Sequence, residues 1–288
     1  MQHVHIGTCS WKYSSWEHLV YQLQSERSYL YQYAQTYDTV EIDQWFWSLG
    51  RNSYGLPDMK VVKEYDEDTP ESFRFTIKCP NALTLPFAYR STDERNRWFL
   101  DSEVMYRFLD RLSPIATKVG SLMFQFGYLN KQMFPDKQAF FDLLMQFFST
   151  LPDSFDYAVE LRNPAWLDQT WFDLLAEHTI SPVLLYGYWM EHTTDILAQY
   201  GNLMHSPLVV RLHGDDRAFI EQKTSEQWNK IVLPKRGELM HIAPQLVRLA
   251  KMGKVVYVNV NNHYEGSAPL TIETLLSLID AAEKSLYE

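Results

Sequence analysis

The chain has 288 residues, a formal net charge of −10, and 46% hydrophobic and 15% aromatic side chains. This composition excludes a disordered chain, which would lack the apolar side chains needed for a core. The negative charge argues against broad, non-specific binding to nucleic acid or anionic membranes. With only Cys9 and Cys79 present, no disulfide framework is expected. No apolar run reaches the roughly 20 residues of a membrane span and the N-terminus lacks a signal peptide, so we expect a cytoplasmic protein without membrane contact.

Short apolar segments alternate along the chain with longer segments of helical periodicity. The predicted strands cover residues 3–8, 39–43, 73–79, 121–126, 157–162, 181–187, 207–214 and 254–262. The predicted helices between them include SERSYLYQYAQTY, NRWFLDSEVMYRFLDRL, DKQAFFDLLMQFF, WLDQTWFDLLAEH, ELMHIAPQLVRLAKMG and IETLLSLIDAAEKSL. Strands that alternate with helices favour a parallel sheet, and about eight such units predict a (β/α)₈ barrel as one domain over residues 1–288. An open, doubly wound sheet is the alternative, and the unit at 181–205 has the least distinct pattern.

Side chains on each predicted strand alternate between a face toward the helices and a face toward the lumen. In YAVELR, Val159 and Leu161 form an apolar face, whereas Glu160 and Arg162 lie on the other face. Other strands show the same parity, with polar residues on one face near the C-terminal end. Because barrel enzymes place their sites at that end of the strands, the pattern predicts a ligand site or a buried ionic network there.

Basic side chains slightly outnumber acidic ones on this predicted lumen face. The basic positions are Lys78, Arg162, Arg211 and His213, and the acidic positions are Glu41, Asp43 and Glu160. A surplus of cations in a chain of negative net charge points to an anionic ligand, and the arginine fork suits carboxylate or phosphate. The alternative is a set of mutually paired charges that only closes the barrel mouth, since unpaired buried charges cost several kcal/mol each.

In the enzyme that these residues predict, Lys78, Arg162 and Arg211 hold the anion. Glu160 or Glu41 acts as the general acid or base, because a carboxylate in a closed mouth can have its pKa raised toward neutrality, and His213 is its partner. The asparagines near the last strand would bind hydroxyl groups or an oxyanion; they are Asn259, Asn261 and Asn262.

Two further features of the predicted mouth are candidate binding elements. Gly266 and Ser267 precede a helix predicted to begin near Thr271, and the N–H groups at a helix start can bind an anion; an ordinary turn and helix cap is the alternative. Trp11 and nearby aromatic residues follow the first strands and could stack on a sugar or base. Packing of loops, or a homodimer interface, is the alternative for these rings.

No cofactor is predicted, because the chain has neither a glycine-rich dinucleotide fingerprint nor a P-loop. A divalent metal at Glu41, Glu160, His213 and His263 remains an alternative, although no close His or Cys spacing supports it. Cys9 follows the first strand and could be a nucleophile, but a lone cysteine is more often a small buried residue.

Several short segments, in order along nearly the whole chain, resemble the YecE-like family, a domain of unknown function with the number seventy-two. They are Gly7-Thr8 with Trp11, Val40-Glu41-Ile42, Phe75 to Lys78 with Pro80, Ala158-Val159-Glu160 with Arg162, Pro164 and Trp166, Arg211 with His213-Gly214, and Asn261-Asn262 with Tyr264, Gly266 and Ala268. The resemblance implies a (β/α)₈ barrel but no settled activity. It also brings a fold-level analogy to barrel endonucleases that act on abasic DNA.

The sequence departs from the family pattern at several positions near the predicted rim. Asp43 stands where Asn is common, and the other departures are Asn81, Leu85, Asn163 and Tyr186. These changes remove potential acid–base groups. Three functions therefore stay open: an enzyme (a hydrolase, isomerase or lyase) for a small phosphorylated or carboxylated substrate, a metal-assisted phosphodiesterase for nucleic acid, and a non-catalytic anion-binding module.

Overall fold

The computed structural model describes residues 3–190 and 193–285. Eight parallel strands form one sheet in the order β1-β8-β7-β6-β5-β4-β3-β2. Their bounds are β1 Val4–Thr8, β2 Thr39–Ile42, β3 Arg74–Lys78, β4 Val119–Phe126, β5 Tyr157–Leu161, β6 Ser181–Gly187, β7 Leu208–Gly214 and β8 Val256–Val260. Each predicted strand is present, including the strand of the least distinct unit.

Helices follow the strands along the chain, and two of them follow β7. Their bounds are α1 Tyr29–Tyr33, α2 Met59–Glu67, α3 Ser102–Leu112, α4 Lys137–Phe148, α5 Gln169–Glu177, α6 Thr193–Tyr200, α7 Arg217–Thr224, α8 Arg236–Lys251 and α9 Ala268–Lys284. Aspartates cap several of them; Asp101, for example, accepts a hydrogen bond from the Val104 N–H at 3.0 Å at the start of α3. Within the described residues, no helix is long and apolar enough to cross a membrane.

The sheet closes on itself between β1 and β2. Cys9 forms a parallel bridge with Glu41, and the Ser10 N–H donates to the Glu41 carbonyl at 3.1 Å. Gly7 permits this approach, because a Cβ at that position would lie 2.0 Å from the Thr39 carbonyl oxygen. The predicted (β/α)₈ barrel is therefore confirmed, and the alternative of an open sheet is wrong.

Two separate apolar clusters fill the barrel, one between strands and helices and one inside the lumen. The outer cluster takes the face predicted to meet the helices and includes Val159, Leu161, Val210 and Leu212. The inner cluster consists of Met123, Ala158, Val183, Val209 and Tyr257, with the buried fraction near complete for each. These residues close the lower lumen, so the polar residues of the same strand faces lie above them, toward the C-terminal mouth.

Candidate functional site at the barrel mouth

Arg211 on β7 is the centre of the polar lumen. Its Nε and Nη2 atoms donate to the two oxygens of Glu41 at 2.8 and 2.7 Å, and its Nη1 donates to Glu160 Oε2 at 2.5 Å. All three side chains are buried, with at most 2% of their surface exposed. Paired hydrogen bonds of this kind are the geometry that makes a buried ion pair tolerable. The guanidinium of Arg211 thus already has two carboxylate partners within the fold.

Glu160 has a second arginine partner at the end of its own strand. The Arg162 Nε donates to Glu160 Oε1 at 2.7 Å, because residues two apart on a strand share a face. Burial by itself raises the pKa of Glu160, but Arg211, Arg162 and Lys78 outweigh burial and lower the pKa to about 2. The predicted rise of this pKa toward neutrality is therefore corrected, since Glu160 stays ionised and is a poor general acid.

Asn259 on β8 lies in the lumen beside Glu41. Its Nδ2 donates to Glu41 Oε2 at 3.1 Å and to Thr76 Oγ1 at 2.9 Å, while its buried Oδ1 has no hydrogen-bond partner within the described part of the chain. Gln125 on β4 approaches Arg211 Nη1 at 3.3 Å. The amide of Asn259 thus orients Glu41, in addition to any contact with a ligand.

Lys78, at the end of β3, differs from the two arginines. Its side chain is 8% exposed, and its Nζ lies 3.8 Å from the centre of the Phe46 ring. Among residues 3–190 and 193–285, its ammonium forms no ion pair or hydrogen bond. Burial and the neighbouring charge of Arg211 lower the pKa of Lys78 to about 8, against the opposing effects of Glu41, Glu160 and Asp43.

His213, near the end of β7, lies beside Cys9. Its Nε2 is 3.7 Å from the Cys9 Sγ, and its ring faces Tyr188 at a centroid distance of 5.9 Å. Burial, and then the charges of Arg211, Arg162 and Lys78, hold the pKa of His213 well below its usual range. The imidazole is neutral at pH 7, so His213 does not add to the predicted surplus of cations. Burial also raises the pKa of the Cys9 thiol, which disfavours a reactive thiolate.

The metal ligands that the sequence offered are not brought together as a set. His263 bonds to Asn261 at 2.6 Å and to Glu221 at 3.0 Å, and Glu160 is held by its arginines. The Cys9, Glu41 and His213 side chains do place one donor atom each within 4.8 Å of one another. This group fits a metal poorly, because both oxygens of Glu41 are already bound by Arg211.

The segment between β8 and α9 is held partly by hydrogen bonds among its own residues. The Asn262 Oδ1 accepts the Ala268 N–H at 2.9 Å, and the Asn262 carbonyl accepts the Gly266 N–H at 2.8 Å. Asn261 holds His263 through its side chain. The Asn262 Nδ2 and Ser267 Oγ atoms are buried without a hydrogen-bond partner among the described residues. Binding of an anion by Asn261, Asn262, Gly266 and Ser267 stays a prediction.

The aromatic residues predicted at the mouth divide between core and surface. Trp11 is only 3% exposed and packs edge-on against Tyr65 at 5.0 Å, so it is not placed to stack on a ligand. Trp47, in contrast, is 81% exposed. Sequence reasoning missed Phe46 and Tyr188, which contact Lys78 and Arg162. The signal that could have found Tyr188 is the aromatic-rich run YGYWM, residues 186–190, which begins in the last two residues of β6 and continues past its end.

Two of the departures from the family pattern have structural roles. The Asn81 Oδ1 accepts the N–H groups of Ser48 and Leu49 at 2.9 and 2.7 Å. Asn163 exchanges two hydrogen bonds with the backbone of Leu129, at 2.8 and 2.9 Å. These asparagines hold rim loops together, which explains why a polar residue remains at each position.

Comparison with known proteins places the chain in a family. The profile of the family "Protein of unknown function DUF72" matches residues 5–288. The UPF0759 protein YecE of Escherichia coli K12 is 28% identical over 163 residues, which are 56% of this chain and 49% of that relative. Two DUF72 family proteins of known structure share the fold. The one from Enterococcus faecalis V583 is 19% identical, with 96% of this chain and 95% of that chain covered and a TM-score of 0.67. The one from Thermotoga maritima MSB8 is 20% identical, with 99% of this chain and 100% of that chain covered and a TM-score of 0.65. The chain therefore belongs to the DUF72 family.

Proposed function

We propose that the C-terminal mouth of the barrel binds a small anionic molecule, carboxylated or phosphorylated, and that the protein acts on it as an enzyme. The observation that carries this proposal is the ammonium of Lys78, a cation held in the mouth against Phe46 with no carboxylate bonded to it among the described residues. An anion that enters the mouth would supply the missing partner.

The charges around Lys78 support this assignment. Glu41 and Glu160 carry two negative charges, and Arg211 and Arg162 balance them in direct ion pairs. Burial and the charge of Glu41 raise the pKa of the nearby Asp43 carboxyl group, against the lowering effects of Lys78 and Arg211. Unlike Arg162 and Arg211, Lys78 has no direct ion pair with a carboxylate among the described residues.

The roles of the arginines follow from their contacts. Arg211 uses three of its nitrogen atoms within the fold, so we assign it to holding Glu41 and Glu160 in place. Arg162 is 15% exposed and stacks its guanidinium on Tyr188 at 5.1 Å. In this proposal Arg162 and Lys78 contact the anion, and Arg211 is a positioning residue.

Thermal unfolding with added ligands tests the proposal. Phosphate, sugar phosphates and small carboxylates would be compared with their uncharged analogues, since a ligand at a hundred times its Kd stabilises by about 2.7 kcal/mol. We expect a rise in Tm with one class of anion, which Lys78→Met removes and the exposed-surface variant Lys131→Met retains. A rise of equal size in both variants would place the anion elsewhere and contradict the proposal.

The same screen separates the remaining candidate functions. A protein stabilised only by divalent ions would favour metal-assisted chemistry over anion binding. A protein that binds the anion but shows no turnover of it would favour a binding module over an enzyme. The ion pairs of the mouth disfavour the metal-assisted candidate, since Glu41 is bound to Arg211 through both oxygens.

A further inference from the structure

We propose that Lys78 is a nucleophile that forms an imine with the carbonyl carbon of its substrate. This inference rests on the proposed function and narrows it: the small anion would also carry an aldehyde or ketone group, as in a 2-oxo acid. Lys78 then makes a covalent bond to the substrate, and the anionic group lies toward Arg162.

The geometry supports a nucleophilic rather than a structural lysine. A structural buried lysine is normally held by carboxylates or carbonyl oxygens, because an ammonium without partners is costly to bury. The Nζ of Lys78 instead lies over the Phe46 ring, 3.8 Å from the ring centre. Lys78 is also at the C-terminal end of β3, where barrel enzymes place reactive groups.

The surroundings of Lys78 also favour the neutral amine, which is the reactive form. A lysine is activated as a nucleophile when it is desolvated or lies next to another cation, and both conditions hold here. Burial and Arg211 bring the pKa to about 8, so roughly a tenth of the amine is neutral at pH 7, a few hundredfold more than for an ordinary lysine. The titratable groups that act on or are acted on by Lys78 are Arg211, Glu41, Glu160, Asp43, Cys9 and His213.

The chemical step is balanced without any other reagent. The amine lone pair of Lys78 attacks the carbonyl carbon, the π electrons of the C=O bond move to oxygen, and one proton passes from the nitrogen to this oxygen. The resulting carbinolamine loses this oxygen as water, the nitrogen loses its second proton, and a C=N bond forms. One amine and one carbonyl thus give one imine and one water, with no change of oxidation state.

Lys235 provides a matched control within the same protein. It is exposed to the same extent as Lys78, at 8%, and it also lies over an aromatic ring, that of Tyr264 at 5.3 Å. Unlike Lys78, its Nζ bonds to Asp215 at 2.5 Å and to Glu238 at 3.2 Å. Burial opposes these contacts, but they prevail and raise the pKa of Lys235. Exposure is thus equal in the two lysines, and the difference lies in their partners.

Reductive trapping tests the inference on the intact chain. The protein is treated with cyanoborohydride and either glyoxylate, an anionic carbonyl compound, or formaldehyde, an uncharged one, and the modified lysines are located by peptide mass spectrometry. At pH 8 we expect glyoxylate to label Lys78 at least about tenfold faster than Lys235, because the neutral fraction of Lys78 is far larger. Labelling of Lys78 should also rise with pH up to about 8 and then level off.

Each outcome decides a separate point. If neither glyoxylate nor formaldehyde labels Lys78 faster than Lys235, the proposal that Lys78 is a nucleophile is wrong. Anion binding is judged independently, by the thermal shifts. Labelling that is fast with formaldehyde but not with glyoxylate overturns the anionic carbonyl substrate. The exposed Lys131 gives the rate of non-specific labelling, and a Lys78→Met variant confirms the assignment of the peptide.

Discussion

Two buried lysines at opposite ends of the barrel have opposite surroundings. Lys118, directly before β4, has 2% of its side chain exposed, bonds to Asp66 at 2.6 Å and donates to the carbonyl oxygens of Asp66 and Thr69 at 2.8 and 2.9 Å. Lys78, at the end of β3, contacts an aromatic ring. The ammonium of Lys118 thus has its partners within the fold, whereas that of Lys78 has no carboxylate partner among the described residues, and we propose that an anion binds there.

The same contrast divides the mouth itself. Arg211 resembles Lys118 in that the fold supplies its partners, although these come from β2 and β5 rather than from the C-terminal end of α2. The charged residues of the mouth are therefore of two kinds. Arg211 and its carboxylate partners fix the geometry of the site, whereas the ammonium of Lys78 has no carboxylate partner among the described residues. The following predictions test this division.

The largest expected effect is that of Arg211→Ala. The change leaves Glu41 and Glu160 buried near each other without their shared cation, which typically costs about 3–5 kcal/mol. Urea unfolding should show this loss, whereas Arg217→Ala, at a 64% exposed side chain paired with Glu221, should cost about 1 kcal/mol or less. A folded Arg211→Ala protein of nearly unchanged stability would contradict the role assigned to the ion network.

Acid should destabilise the mouth through Glu160. Its pKa of about 2 in the fold lies below the value of 4.5 for a free side chain, so its contribution is complete above pH 4.5 and is lost as the pH falls to 2. The loss is about 3 kcal/mol. Unfolding measured over this range should show a shallower decline for Glu160→Gln, while Glu103→Gln, at an 83% exposed carboxylate, should follow the parent protein. Equal slopes in all three proteins would be inconsistent with the ion pairs described.

The two lysines should respond differently to the same substitution. Lys118→Met leaves Asp66 and two carbonyl oxygens without their donor and should cost roughly 2 kcal/mol in urea unfolding. Lys78→Met removes a buried charge that no carboxylate neutralises directly, so we expect no loss, or a small gain, of stability. A loss at Lys78 as large as that at Lys118 would show that Lys78 has a structural partner.

Alkaline pH should give the smallest effect. Because the pKa of Lys78 is lowered to about 8 in the fold, the unfolded chain binds more protons above that pH, and stability from this group rises toward pH 10.5. The gain is about 1–2 kcal/mol by roughly pH 9.5 relative to Lys78→Met, which lacks the titrating amine. The check is urea unfolding of both proteins at pH 8 and at roughly pH 9.5. If the difference between their free energies of unfolding is the same at both pH values, the pKa of Lys78 is not lowered in the fold.

Strand parity explains why the sequence predicts so much of this fold. The alternation of Val210, Arg211 and Leu212 shows which side chain faces the lumen, and the same rule places Glu160 and Arg162 together. Parity does not show partners. Arg211 pairs with Glu41, 170 positions away in the chain, and this depends on how far the side chains reach across the closed barrel.

The chemical state of the site was harder to predict for the same reason. A closed mouth raises the pKa of an isolated carboxylate, but Glu160 has two arginines in contact, and their charges exceed the effect of burial. The position of Trp11 after β1 predicts a place at the rim, yet the loop turns its ring toward Tyr65. Partners and loop directions are tertiary properties, which local patterns do not contain.

The apolar side chains in the lower lumen close the barrel below the mouth. Tyr257 extends across the lumen to the backbone of Gly120, where even a methyl group would lie 2.7 Å from its ring. Any molecule that reaches Lys78 must consequently enter and leave by the same opening, so a reactant and the molecule formed from it would compete for one route. The rate at which molecules pass through that opening, past the rim loops that border it, would then set an upper limit on the rate of turnover.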